Sequence, residues 1–307
     1  MKYTGILFAA QLAFAAVNYS YDSAGRLIRA DYGSTGAIVY SYDKAGNLLS
    51  RAVQSGGAGG VISRVNVAGA PASAGIAQNA WLEIRGSNLV PANTPAEGVI
   101  WNSAPEFAQG SMPTQIGSIS VTVNGKPAYI YYYCSAVTSS ICAQDQINVL
   151  SPLDNATGSV DVVVTNGSTA SAPFTTNMSA AVPSFLRFSD QGYVVAIHTN
   201  GALLGPSTLY PGLSTPASPN ETVVVFGVGW GLPTASLTQG SSAQSGLLPS
   251  TPVCKIGSTT VAVAAALISP GLYQFNLTIP GDAKGDNSLS CTYNGATTPS
   301  GDLLTVQ

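Results

Sequence analysis

The segment Ser118-Ile-Ser-Val-Thr-Val-Asn124-Gly125 sets the terms on which this chain can fold. Ile119, Val121 and Val123 alternate with polar residues, so an extended strand here has one apolar face and one wet face. Asn-Gly accepts the left-handed backbone of a two-residue hairpin at little cost, and turns the chain into the return KPAYIYYYC. The same grammar recurs in Val160-Asp-Val-Val-Val-Thr-Asn166-Gly167 and its return APFTTNM. In Trp81-Leu-Glu-Ile-Arg-Gly86, Leu82 and Ile84 are expected to face inward, with Glu83 and Arg85 facing water. No stretch shows a helical period. Beyond the first residues every apolar run is cut within about eight residues, well short of the roughly 20 that a spanning helix needs.

The second half of the chain repeats the first in order. VVVFGVGWG answers LEIRGSN, and PVCKIGSTTVAV answers SVTVNGKPAYI. YQFNLTIP answers QINVLSP, and GDNSLSCTYNGATTPS answers GSVDVVVTNGSTASAP. Matching blocks in one order predict a duplicated sandwich, residues 61–180 and 181–307, with residues 193–231 as the joint. The connection MSAAVPSF is short and lacks the Gly/Ser run of a tether, so the lobes are expected to pack rather than swing.

Composition narrows the functional classes. Charged residues are 8% of the 307 and the net charge is −3, with no Lys/Arg cluster, which excludes a nucleic-acid-binding surface. Low charge with 33 Gly and 19 Pro is the composition of a turn-rich, exported β protein. Lys2, an apolar run and Ala13-Phe14-Ala15 fit a secretory signal peptide over residues 1–16. The four cysteines lie in no CxxC pair and near no histidine pair, so disulfides are expected rather than a metal site. Cys254 shares a face with Ile256, and Cys291 with Leu289 and Tyr293, so both point into the second lobe's core, where they can bridge. Cys134 and Cys142 would close a smaller loop.

Residues 17–53 hold an internal repeat: Tyr21-Asp22-x-x-Gly25 recurs as Tyr42-Asp43-x-x-Gly46, each followed by a short return strand. This pair resembles the YD or Rhs repeats of bacterial surface and toxin proteins, and two copies are expected to form a small hairpin segment rather than a shell. QSGGAGG, residues 54–60, reads as a flexible linker. The two lobes resemble a C-terminal domain found on secreted acidobacterial-type proteins, related to the IPT/TIG group of immunoglobulin-like folds. SVTVNGKPAYIYY, QINVLSP, AIHTNGALLGPSTLYPG, TPASPNETVVVFGVGWG and GLYQFNLTIP carry the resemblance. It implies an all-β fold of two tandem immunoglobulin-like sandwiches and a cell-surface or extracellular location, without catalysis.

Catalytic and metal settings are weak. His198, the sole histidine, sits on an apolar strand beside an Asn-Gly turn, with no G-x-S-x-G elbow in the chain, and is expected to be structural. Asp282 and Asp286 share one loop but offer too few carboxylates for calcium. The glycines of residues 227–231 precede no helix and so suit a strand bend better than a phosphate cradle. The expected function is a non-catalytic structural or adhesive surface module without a cofactor, the alternative being a carbohydrate- or peptide-binding accessory module. Strict alternation in Ala128-Tyr-Ile-Tyr-Tyr-Tyr133 puts Ala128, Ile130 and Tyr132 inward. Tyr129, Tyr131 and Tyr133 would then form an outer aromatic strip, a candidate surface for a glycan or protein partner unless the second lobe, the YD hairpin or the Cys134–Cys142 loop covers it. Trp101, in the long loop of residues 90–117, is the other ligand-contact candidate.

Overall fold

The structure, a computed structural model, describes residues 17–22, 24–31, 36–43, 45–55, 59–188 and 191–307. The expected signal peptide, residues 1–16, lies outside them. The chain divides into two compact units, one ending at Gly59 and one spanning residues 60–307.

The first unit is an antiparallel meander of Asn18–Tyr21, Leu27–Asp31, Gly36–Tyr42 and Leu48–Ser55. The Tyr-Asp-x-x-Gly motif earns its turns through its carboxylates. Asp22 accepts from the backbone N–H of Ala24 and Arg26 and from Arg26 Nε at 2.7 Å. Asp43 accepts from the side chain and backbone of Asn47. These bonds hold both carboxyls below the usual carboxylate range. The last strand runs on to Ser55, so the expected linker begins two residues inside it.

In the second unit, two sheets are built from residues 61–179 and two from residues 184–306. One sheet of the first lobe has the order Val61–Val67, Trp81–Ser87, Asp145–Leu150, Tyr129–Cys134, Val99–Ile100. The other centres on Ile119–Val123, Gly158–Asn166 and Phe174–Ser179. The apolar positions expected to face inward do so: Leu82, Ile84, Ile119, Val121 and Val123 lie in one buried cluster between the sheets.

The second lobe repeats this plan. Thr222–Val228 pairs with Leu272–Thr278 as Trp81–Ser87 pairs with Asp145–Leu150, and Val263–Ser269 follows as Tyr129–Cys134 does. Val253–Ile256 pairs with Gly285–Tyr293 as Ile119–Val123 pairs with Gly158–Asn166. Side-chain bonds repeat too. Val164 N donates to Ser171 Oγ and Cys291 N to Thr298 Oγ1, each at 3.1 Å. Both disulfides form as expected, Cys134–Cys142 and Cys254–Cys291, the latter buried among the second lobe's core residues.

The glycines of residues 227–231 let backbone approach backbone. A Cβ on Gly229, whose φ is 76°, would run into the Val182 carbonyl. Trp230 then drops into the second core, its ring 4.4 Å from Phe275. His198 ties strands together, with Nδ1 2.6 Å from Glu221 Oε1 and Nε2 3.1 Å from the Thr215 carbonyl. Asp286 accepts from the hydroxyls of Tyr193 and Thr305.

The lobes pack, as the short connection implied. Trp81 Nε1 donates to the Pro270 carbonyl at 2.8 Å, and Asn79 Nδ2 to Gln244 Oε1 at 2.9 Å. Backbone bonds from Met112 N to Gly240 O and from Ser242 N to Gly110 O fasten the long loop of the first lobe to a loop of the second. Gly271, with φ 67°, sits where a Cβ would meet Leu150 and crowd Asn79 and Trp81.

Candidate functional site

The expected tyrosine strip does not form, and its failure builds a cavity instead. Tyr129 pairs with Leu150 and Ile130 with Val149, but Tyr132, not Tyr131, pairs with Asn148. Tyr131 is therefore the extra residue of a β-bulge, and beyond it every side chain changes face. Tyr133 turns into the first lobe's core and is 5% exposed, while Tyr132 turns outward and donates to the Glu97 carbonyl. Tyr129 stays on the outer face but is 7% exposed, because the second lobe covers it. Gln239 Nε2 donates to its hydroxyl at 2.7 Å, and Gly240 lies against its ring. Burial raises the phenol pKa of both Tyr129 and Tyr133, opposed at Tyr129 by the Gln239 bond. Of the three, Tyr131 alone stays open, 36% exposed.

Tyr131 meets Trp101, whose loop folds as two short 3-10 turns, Trp101–Ser103 and Pro105–Gln109, over the same sheet face. Four rings interlock edge-to-face there. Tyr131 lies 5.1 Å from Trp101 and 5.6 Å from Trp81, Trp101 lies 5.6 Å from Trp81, and Phe107 lies 5.1 Å from Trp101. Each such pair fixes ring orientation beyond what area burial would. Together they wall a cavity of about 520 Å³ between the lobes. Ala68, Met112, Leu186, Pro270 and Leu272 complete the apolar wall, and Glu83, Asn148, Ser242 and Ser269 supply polar groups.

The sheet face grades from dry to charged across the cavity. Trp81, Leu150 and Tyr129 form one cross-strand row, roofed by Pro270, Gly271, Gln239 and Gly240 of the second lobe. Glu83 and Asn148 are direct partners in the next row and line the cavity. Arg64, Arg85 and Gln146 form the row beyond. Arg64 Nη2 donates to Glu83 Oε1, and Arg85 Nε stands 2.6 Å from the same oxygen as an ion pair, not aligned as a hydrogen bond.

Of the ligand candidates, Trp101 and Tyr131 come together in the cavity, while Tyr129 and Tyr133 are packed away from it. Trp81, Phe107, Glu83 and Asn148 are the residues that alternation alone did not single out. A signal for Trp81 was present, since it shares the outward face assigned to Glu83 and Arg85, an unusual place for a bare indole. Among the described residues no group of three or more His, Cys, Asp or Glu side chains is placed to hold a metal ion, and no helix is long and apolar enough to cross a membrane.

No protein-family profile and no curated protein matches the sequence. Among solved structures, the chain is similar to SGBP-B of the Bacteroides ovatus mixed-linkage glucan utilization locus, solved in complex with a mixed-linkage heptasaccharide. That likeness has 11% identity and a TM-score of 0.35, and covers 90% of this chain and 55% of that one. SGBP-B from a complex xyloglucan utilization locus in Bacteroides uniformis matches at 15% identity and a TM-score of 0.21, over 79% of this chain and 49% of that one. Domains 5-6 of the S-layer protein SbsC match at 10% identity and a TM-score of 0.24, over 80% of this chain and 98% of that one. This chain spans about half the length of each of the two SGBP-B proteins.

Proposed function

We propose that this chain is a non-catalytic carbohydrate-binding module of the cell surface or extracellular space, holding one sugar residue of a glycan in the interlobe cavity. The observation that carries this is the wall of Trp81, Trp101, Tyr131 and Phe107 standing over Glu83 and Asn148 in one cavity. A pyranose ring has an apolar C–H face and a rim of hydroxyls, so it needs an aromatic wall with a few polar groups at one side. Two disulfides support an oxidising compartment. The matching strand pairing of the two lobes supports an immunoglobulin-like plan of the IPT/TIG kind, and the carboxylate-capped turns support YD-type repeats in the first unit. Attachment through a bound glycan is also how such a module would serve adhesion.

The test is calorimetric titration of the full chain with cellotetraose, xylotetraose and mannotetraose, alongside Trp101→Ala and Tyr131→Ala. Both side chains are partly exposed, so the variants should melt within a few degrees of wild type and bind at least about tenfold more weakly, near 1.4 kcal/mol. If no saccharide bound, or if both variants bound as wild type does, the reading would fall. Capture of an apolar peptide with the same sensitivity to Trp101→Ala would replace it with peptide recognition.

A further inference from the structure

Resting on that reading, we propose that Glu83 and Asn148 form an acceptor–donor pair that selects among sugars by the hydroxyls they present to the cavity floor. The two residues are direct cross-strand partners, which places their Cβ atoms about 5 Å apart on one face. Each has half of its polar end already committed. Arg64 and Arg85 both converge on Glu83 Oε1, and no described residue partners Oε2. Gln146 Nε2 donates to Asn148 Oδ1 at 2.9 Å, and no described residue partners the Asn148 amide nitrogen. Both residues line the cavity, and the atoms they have left uncommitted are a carboxylate oxygen, which can only accept, and an amide nitrogen, which can only donate.

A hydroxyl carries one donor and two acceptor sites, so one hydroxyl bridging the pair, or two neighbouring ones, satisfies both groups by giving a proton to Glu83 and taking one from Asn148. An occupant that dries the cavity without making both bonds leaves a polar group unpaired, which costs more than a bond contributes. The aromatic wall thus accepts many flat apolar faces, and the pair decides which of them stay. The arginines fix the sense of the pair by holding Oε1 away from the ligand.

This arrangement allows a test by exchange. In Glu83→Gln the arginines retain the amide oxygen, so the nitrogen faces the cavity and an acceptor becomes a donor. In Asn148→Asp the Gln146 bond is kept and a donor becomes an acceptor. Each single variant should weaken the best-binding tetrasaccharide of the panel at least about tenfold, with melting temperature as the check on folding. The double exchange restores a donor beside an acceptor in reversed order, keeps the net charge, and should recover most of the affinity. A merely structural role predicts no such recovery. Singles that bind as wild type does, or a double no better than the singles, would overturn the pair while leaving the sugar reading intact, provided Trp101→Ala still weakens binding. A panel in which nothing binds the wild-type chain would overturn both.

Discussion

In the first lobe Val121 faces Val164 across the sheet, and in the second Cys254 faces Cys291 at the corresponding slot, two residues before the hairpin turn. Both pairs are buried and serve the same core position, one by packing and one by a covalent bond. The outer faces diverge in the same way. Gln146 donates to Asn148 in the first lobe, and Gln274 donates to Asn276 in the second, at 2.9 and 2.8 Å. Yet the cross-strand neighbour is Glu83 for Asn148 and Val224 for Asn276. A duplicated scaffold holds the slots, and what fills them decides whether a face becomes a site.

The largest expected effect tests the core slot. Cys254→Val with Cys291→Val would give the second lobe the first lobe's solution. A bridge across 37 residues is worth about 4 kcal/mol in the chain-entropy model, less whatever two valines recover by packing. Calorimetric unfolding should show a lower melting temperature, and a loss under about 1 kcal/mol would mean that packing serves as well as the bond there. The Cys134–Cys142 bridge, with a separation of 8, is expected to be worth less, about 2.5 kcal/mol.

A smaller effect comes from the charge inside the second lobe. Asp302 is 1% exposed, and burial pushes its carboxyl from the ordinary 3.8 up to about 6 against the pull of Arg187, whose Nε lies 2.8 Å away. The native state then holds this proton where the unfolded chain has lost it. The resulting stability is full below about pH 4 and is lost as pH rises through about 6. Denaturation midpoints between those limits should fall with pH more steeply for wild type than for Asp302→Asn. Equal slopes would show that Arg187 has already paired the charge.

How much of this was legible from residues alone follows from the range of each interaction. Asn-Gly turns, the inward Leu82 and Ile84, the facing cysteines and the block-by-block duplication are local or periodic, and the sequence carries them openly. The bulge at Tyr131 is not local. It arises where Tyr129–Cys134 is paired against Asp145–Leu150, and one added residue exchanges the faces of Tyr132 and Tyr133. The cover over Tyr129 and the wall at Pro270 come from the second lobe, more than a hundred residues away in the chain. Glu83 and Asn148 look ordinary as single outward residues, and only strand register makes them neighbours.

The smallest expected effect is the sharpest control on the comparison between faces. If the Gln-x-Asn pair were itself the binding element, both lobes would bind, and removing Gln274 and Asn276 would halve the number of sites. If the element is Asn148 beside Glu83 under the aromatic wall, the second lobe's pair is scaffold, since its neighbours Val224 and Ala264 offer no acceptor. Both side chains are partly exposed on the outer sheet face, so Gln274→Ala with Asn276→Ala should cost well under about 1 kcal/mol of stability. Titration with the best-binding tetrasaccharide should then return the same stoichiometry and affinity as wild type, within error. A stoichiometry falling from two toward one would show that the repeat carries the site in duplicate and that the aromatic wall is incidental to it.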